Sequence, residues 1–213
     1  MKLIGLTGGI GAGKSTVSSR LRDRGAVIVD ADAITKELQR PGTEVFAAML
    51  ARFGDVILAA DGTLDRAAVA QIVFNDAEAL TALNSIVHPA VGVEIFRRIQ
   101  EQVDGDRVVV LDIPLLRKDG AYAVQGVLVV DTPVEEAVRR LVEYRAMDEA
   151  DARARIANQL SRDQRLEMAD FVVDNAGSED DLDEQVDKAW AWISSLPDWT
   201  PPPQPPPPPS SSE

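Results

Sequence analysis

Short, continuous apolar runs alternate along this chain with longer stretches in which apolar and polar positions recur at helical spacing. Five runs rich in β-branched residues occur at 2–7, 26–30, 107–112, 126–131 and 171–174. Most of them lack the in-and-out alternation of a half-exposed sheet, as expected of strands buried on both faces of a parallel sheet with helices between them. The repeating βαβα order predicts an α/β fold. Residues 14–24 carry Val17 and Leu21 near helical spacing and stop at Gly25, which predicts a first crossover helix. Residues 180–196 place Leu182, Val186, Ala189, Trp190 and Ile193 near helical spacing, which predicts a last amphipathic helix against the sheet, with Trp190 in the core.

Two stretches exceed a plain crossover. Residues from about 33 to 102 mix helical patterns with turn signals at Pro41-Gly42 and Asp61-Gly62, and they predict a helical insertion over the carboxyl edge of the sheet, where open α/β sheets bind ligands. A substrate subdomain belongs there. After the fourth run, Thr132-Pro133-Val134-Glu135 has the form of a capping box with a helix starting at Pro133. From Arg139 to Arg165 seven arginines are mixed with acids and alanines, a composition that suits either a mobile cover over phosphates, at about 139–165, or a solvated helical pair. Beyond residue 197 the chain is almost all proline and serine, so 198–213 is expected to be a disordered tail, inert or part of a linker.

Composition narrows the chemistry. With 213 residues and 45% apolar content, the chain can bury one substantial core, expected to span 1–197. There is no cysteine, so thiolate metal sites, disulfides and cysteine nucleophiles are excluded. The net charge of −13, without a basic stripe, predicts no nucleic-acid partner. No stretch approaches the roughly 18 uncharged apolar residues of a spanning helix, so no membrane partner and a cytoplasmic location are expected.

The run Gly8-Gly9-Ile10-Gly11-Ala12-Gly13-Lys14-Ser15 matches the phosphate-binding loop G-x-x-x-x-G-K-S at every fixed position, after a predicted strand and before a predicted helix. Its backbone amides are expected to turn inward around phosphates, aided by the positive end of the helix. Lys14 is expected to reach the β- and γ-phosphates of ATP, and the Ser15 hydroxyl to ligate Mg2+. Asp30-Ala31-Asp32 ends the second strand at the same carboxyl edge, where an aspartate can orient and deprotonate an incoming alcohol; either aspartate is equally placed to cap the next helix. No Asn-Lys-x-Asp tetrapeptide is present to read guanine, and Asp112 is followed by Ile113 and Pro114 rather than by an acid. Both observations favour phosphoryl transfer over hydrolysis as the purpose of the loop.

Several signatures in fixed order are similar to those of the dephospho-coenzyme A kinases. They are the loop from Leu6 to Thr16, Asp30-Ala31-Asp32, Pro41-Gly42, Asp61-Gly62-x-Leu64-Asp65-Arg66, Asn84-x-Ile86-Val87-His88-Pro89, Asp112-Ile113-Pro114-Leu115-Leu116 and Ala169-Asp170-x-x-x-Asp174-Asn175. The likeness runs from Met1 to about Leu196. It implies a nucleoside-monophosphate-kinase-like fold with five parallel strands in order 2-3-1-4-5, a helical acceptor domain and a lid. It also implies transfer of the ATP γ-phosphate to the ribose 3′-hydroxyl of dephospho-coenzyme A, the last step of coenzyme A synthesis. Carried onto this chain, the resemblance makes Asp32 the catalytic aspartate, with Asp30 supporting it. It makes Arg140 and Arg145 lid arginines, Arg140 the stronger candidate for phosphate. Lys14 and Arg140 then join Asp32 in catalysis, and Gly8, Gly9, Gly11, Ala12, Gly13, Ser15, Thr16 and Asn175 bind nucleotide. Gln159 falls at the lid base near the family's adenine pocket. His88 and Arg66 fall in the acceptor domain, where each also has a plain structural reading: a hydrogen-bonded histidine, and an arginine paired with a neighbouring acid. Arg117-Lys118 departs from the apolar residue and glutamate that often follow the family's Pro-Leu-Leu. A nucleotide-binding regulator without turnover, or a kinase for another acceptor, would share the loop alone.

Overall fold

In the computed structural model, residues 1–113 and 122–201 are described; Pro114-Leu115-Leu116, Arg117-Lys118 and all but the first residues of the proline tail lie outside them. The five apolar runs form the strands β1 (Lys2–Gly8), β2 (Val27–Asp30), β3 (Val108–Asp112), β4 (Gly126–Asp131) and β5 (Phe171–Asp174). They make one parallel sheet in the expected order β2-β3-β1-β4-β5. Successive side chains on a strand point to opposite faces, and here both faces are covered. Ile4, Leu6, Val108, Val110, Leu128 and Val130 pack against α1 (Lys14–Asp23) and the last helix, α9 (Glu179–Ser195). On the other face, Leu3, Val109 and Leu111 meet Ile34, Ile95 and Ile99. The continuous apolar runs are thus the direct result of a three-layer sandwich.

Between β2 and β3 run α2 (Ala31–Leu38), α3 (Glu44–Phe53), α4 (Arg66–Asn75) and α5 (Ala77–Gln100). They enclose a core of their own around Val45, Met49, Ile57, Val69 and Val87. The 24-residue α5 carries two assignments: Val87 lies in that separate core, while Ile95 and Ile99 cover the sheet as an ordinary crossover helix. Among the described residues it is the one helix long and apolar enough to cross a membrane, a property missed in the sequence because Glu94, Arg97 and Arg98 break its apolar run. It packs against α2, α3 and α4.

Between β4 and β5 stand α6 (Val134–Arg145), α7 (Glu149–Ala157) and α8 (Arg162–Met168). The capping box expected at Thr132 does not form: α6 begins one residue later, with Pro133 as its cap and no side-chain cap bond. The Thr132 hydroxyl is buried and lies 2.8 Å from the Asp131 carbonyl, 3.2 Å from that of Asn175 and 3.3 Å from that of Ala12, so it faces the phosphate loop instead.

The chain after α9 does not leave the fold at residue 197 as expected. Trp199 donates its backbone N–H to the Met1 carbonyl (2.9 Å) and its indole Nε1–H to the Ala123 carbonyl (2.9 Å), while Asp198 pairs with Lys2 at 3.2 Å. Gln125 completes this strap by accepting the Leu3 N–H (2.8 Å) and donating to the Pro197 carbonyl (2.6 Å). Trp199→Ala removes one side-chain hydrogen bond and a half-buried ring, so it is expected to destabilise the fold by about 1–2 kcal/mol. The thermal midpoint should fall by roughly 3–8 °C. Turnover of the folded protein should be unchanged, because the strap lies at the amino edge of the sheet. A calorimetric scan beside an activity assay checks both.

Candidate active site

All of β2 to β5 end in aspartate, and the register sets Asp30 beside Asp112 and Asp131 beside Asp174 along the carboxyl edge. Each carboxylate has a partner. Asp30 caps α2 by accepting the Ala33 N–H at 2.9 Å. Asp112, buried, accepts from the Ser18 hydroxyl at 2.8 Å and pairs with the Lys14 ammonium. Asp131 takes a two-pronged contact from Arg162, with Nη2 at 2.6 Å, and Asp174 accepts the Ala176 N–H at 2.9 Å. The loop Gly8 to Ser15 leaves β1 in the middle of this row. Asp112 was not singled out as a site residue from sequence, although an aspartate closing four apolar strands in succession was a readable signal.

The loop turns through Gly11 (φ +80°) and Gly13 (φ +88°), left-handed conformations that L side chains resist. It is tightly enclosed. A Cβ on Gly11 would stand 2.7 Å from the Ala137 carbonyl, one on Gly8 2.9 Å from that of Val130, and one on Gly9 2.8 Å from Arg165. Not every amide turns inward as expected: Ile10 N–H donates to the side-chain oxygen of Gln159 (2.9 Å) and Ala12 N–H to the Gly9 carbonyl (3.1 Å). Thr16 N–H donates to the Gly13 carbonyl (3.0 Å). The amides of Gly11, Gly13, Lys14 and Ser15 have no acceptor among the described residues. Unpaired donors at a helix N-terminus form an anion site.

Gly11, Gly13 and Ser15 border a cavity of about 570 Å³ lined also by Thr16, Arg140, Tyr144, Arg145, Asn175 and Gly177. Arg140 and Arg145 both reach this space, although five residues apart on α6. Arg140 is anchored there by Glu136 (2.8 Å) and by the Asn175 carbonyl (2.8 Å), whereas Arg145 has no ion-pair partner among the described residues. Arg139 and Arg140 hold the Glu136 carboxyl down at about 2, so this anchor is charged throughout the neutral range. The buried Asn175 directs its side-chain amide to the Ala12 carbonyl (2.8 Å), bracing the loop rather than offering that amide to the cavity. Ala12 itself points into the core.

Of the two aspartates after β2, Asp30 is the cap. Asp32, in the first turn of α2, is exposed and has no hydrogen bond or ion pair among the described residues. Since β2 and β1 flank β3, Asp32 emerges roughly 10 Å across the sheet edge from the loop, two strand spacings away. Arg66 bonds to Gln39 (2.6 Å) rather than to an acid, and His88 is exposed on α5 with no partner among the described residues, so neither plain structural reading holds.

Residues 2–181 match the family profile described as dephospho-CoA kinase. A dephospho-CoA kinase from Thermobifida fusca is 46% identical over 191 residues, covering 89% of this chain and 95% of that protein. One from Mycolicibacterium paratuberculosis is 52% identical over 191 residues; that match covers 89% of this chain but 47% of the relative, so this chain spans about half its length. Among solved structures, TT1252 from Thermus thermophilus superposes with a TM-score of 0.75 at 34% identity, covering 90% of this chain and 97% of that one. Dephospho-CoA kinase from Campylobacter jejuni superposes with a TM-score of 0.68 at 25% identity, covering 91% and 98%. With its fold, loop and ordered signatures in agreement, the chain belongs to the dephospho-CoA kinase family.

Proposed function

We propose that the chain carries out its family's reaction, transfer of the γ-phosphate of ATP to the ribose 3′-hydroxyl of dephospho-coenzyme A, at the carboxyl edge of the sheet. The observation that carries this reading is the run of unpaired amides at Gly11, Gly13, Lys14 and Ser15, of which Gly11, Gly13 and Ser15 line the cavity. In the reaction the bond from the γ-phosphorus to the bridging oxygen breaks, a bond to the 3′-oxygen forms, and the alcohol proton passes to Asp32. Such a transition state is loose, so Asp32 need be only a modest base, and orientation is its larger service. Lys14 exchanges Asp112 for the β- and γ-phosphates, leaving Asp112 bonded to Ser18. Arg140 and Arg145 balance the remaining charge from α6.

Magnesium fits the residues present. The exposed Ser15 hydroxyl borders the cavity, and no cluster of three or more acidic or histidine ligands occurs among the described residues. That donor set suits a cation which takes one or two protein oxygens and completes its shell with phosphate and water. When bound, the ion spreads the charge of the transferring group. In this reading α2 to α5, about 33–102, receive the acceptor, residues 139–165 act as the lid, and the protein works in the cytoplasm on small molecules, without nucleic acid or membrane. Incubation with ATP, Mg2+ and dephospho-coenzyme A should give coenzyme A and ADP by mass spectrometry. Transfer only to a different alcohol in an acceptor screen would replace the proposed substrate, and ATP binding with no transfer to any acceptor would reduce the chain to a nucleotide-binding protein.

A further inference from the structure

The turn between α7 and α8 grips the phosphate loop on the flank away from the large cavity. Gln159 Oε1 accepts the Ile10 N–H at 2.9 Å, and the Arg165 guanidinium lies against Gly9, 2.8 Å from where a Cβ would stand. Arg165 has no carboxylate within ion-pair distance among the described residues; its Nη1 donates to the Leu160 carbonyl, and burial pushes the guanidinium below its ordinary value. Arg162, the first residue of α8, clamps Asp131 at the end of β4. Gly9, Ile10, Gln159 and Arg165 border a second, much smaller cleft, separate from the cavity beside Ser15.

The grip has a consequence for the loop's shape. Directly after Ile10, whose N–H is held by Gln159, the chain turns through Gly11 (φ +80°) and Gly13 (φ +88°), both of which line the cavity and have no acceptor for their amides among the described residues. A backbone donor that loses its acceptor in a partly buried place seeks another, and the nearest alternatives lie within the loop itself. We propose that Gln159, backed by Arg165, is a positioning residue for the proposed reaction: it fixes the conformation in which the loop presents its free amides, and so ties ATP affinity to the placement of the α7–α8 segment. This rests on the reading that nucleotide phosphates occupy the loop. It differs from a role in holding adenine, because the Gln159 side-chain oxygen is already committed to Ile10.

The test uses Gln159→Met, which keeps the length and loses the acceptor, and Gln159→Glu, which keeps an acceptor. ATP binding is measured by calorimetry without any acceptor substrate, together with exchange of the Ile10 amide and the KM for the acceptor. The Met variant should bind ATP about tenfold more weakly, the scale of one lost hydrogen bond. Its Ile10 amide should exchange at least about tenfold faster, and the acceptor KM should stay within about twofold of the parent. The Glu variant should recover ATP binding to within about threefold. Unchanged ATP affinity in Gln159→Met, equal losses in both variants, or a parallel rise in the acceptor KM would overturn the proposal. Because ATP binding is read alone, failure to phosphorylate dephospho-coenzyme A would count against the substrate assignment and leave this inference standing.

Discussion

Asp32→Asn is expected to lower kcat by about two to four orders of magnitude, the usual contribution of a positioned acid–base group. ATP affinity should stay within about threefold, since the change touches a group that acts on the acceptor rather than on bound nucleotide. The expectation follows from the division of work between two neighbouring carboxylates. Asp30 is engaged at the start of α2, where its side chain satisfies the Ala33 N–H. Asp32, two residues further, is held by a rigid helix start but has no competing partner among the described residues. Asp30→Asn preserves a capping side chain, so it should leave kcat within a few-fold and cost only tenths of a kcal/mol. A quenched-flow measurement at saturating ATP separates the two variants. If Asp32→Asn turns over at the parental rate, the proton goes elsewhere and Asp32 loses its role.

Gly13→Ala should weaken ATP binding on the order of a hundredfold or more, through backbone strain and collision together. Gly13 has φ +88°, and an added Cβ would fall well inside contact distance of the Asn175 Nδ2. That amide cannot withdraw freely, because it is buried and bonded to the Ala12 carbonyl, so relief must come from the loop itself. Gly25→Ala supplies the comparison: its φ is +100°, yet nothing lies within 4 Å of the new Cβ. That change should destabilise the fold by about 1–2 kcal/mol and leave ATP affinity untouched. Equal ATP affinities for the two variants would show that the Asn175 brace does not govern the loop.

The sheet was readable almost to the residue because its information is local. A strand covered on both sides must be apolar throughout, and runs such as 108–112 and 126–131 have no second interpretation once Gly and Asp bound them. The loop was readable for the same reason, since glycine tolerance of positive φ is written into the residue type. Partnerships across the fold were not. Thr132 has a capping residue's chemistry, but burial beside Ala12 and Asn175 gives its hydroxyl other acceptors. Asp112 looked like a strand end because nothing in its neighbours announces Lys14, distant in sequence. Gln159 was placed near the nucleotide by resemblance, yet its bond to Ile10 depends on how α7 and α8 return to the sheet. Composition predicted a tail free from its first residues, and it missed the strap because one tryptophan and one aspartate suffice to dock it.

The strap fixes where the molecule offers a handle. Trp199 is tied to Met1, so residues 1 and 199 lie at one rim of the sheet, and the seven residues of β1 separate that rim from the phosphate loop by about 23 Å. A surface, dye or fused protein joined at Pro201 therefore starts its path on the far side of the sheet from the phosphate loop. Immobilised through that end, the molecule should turn over as it does free in solution.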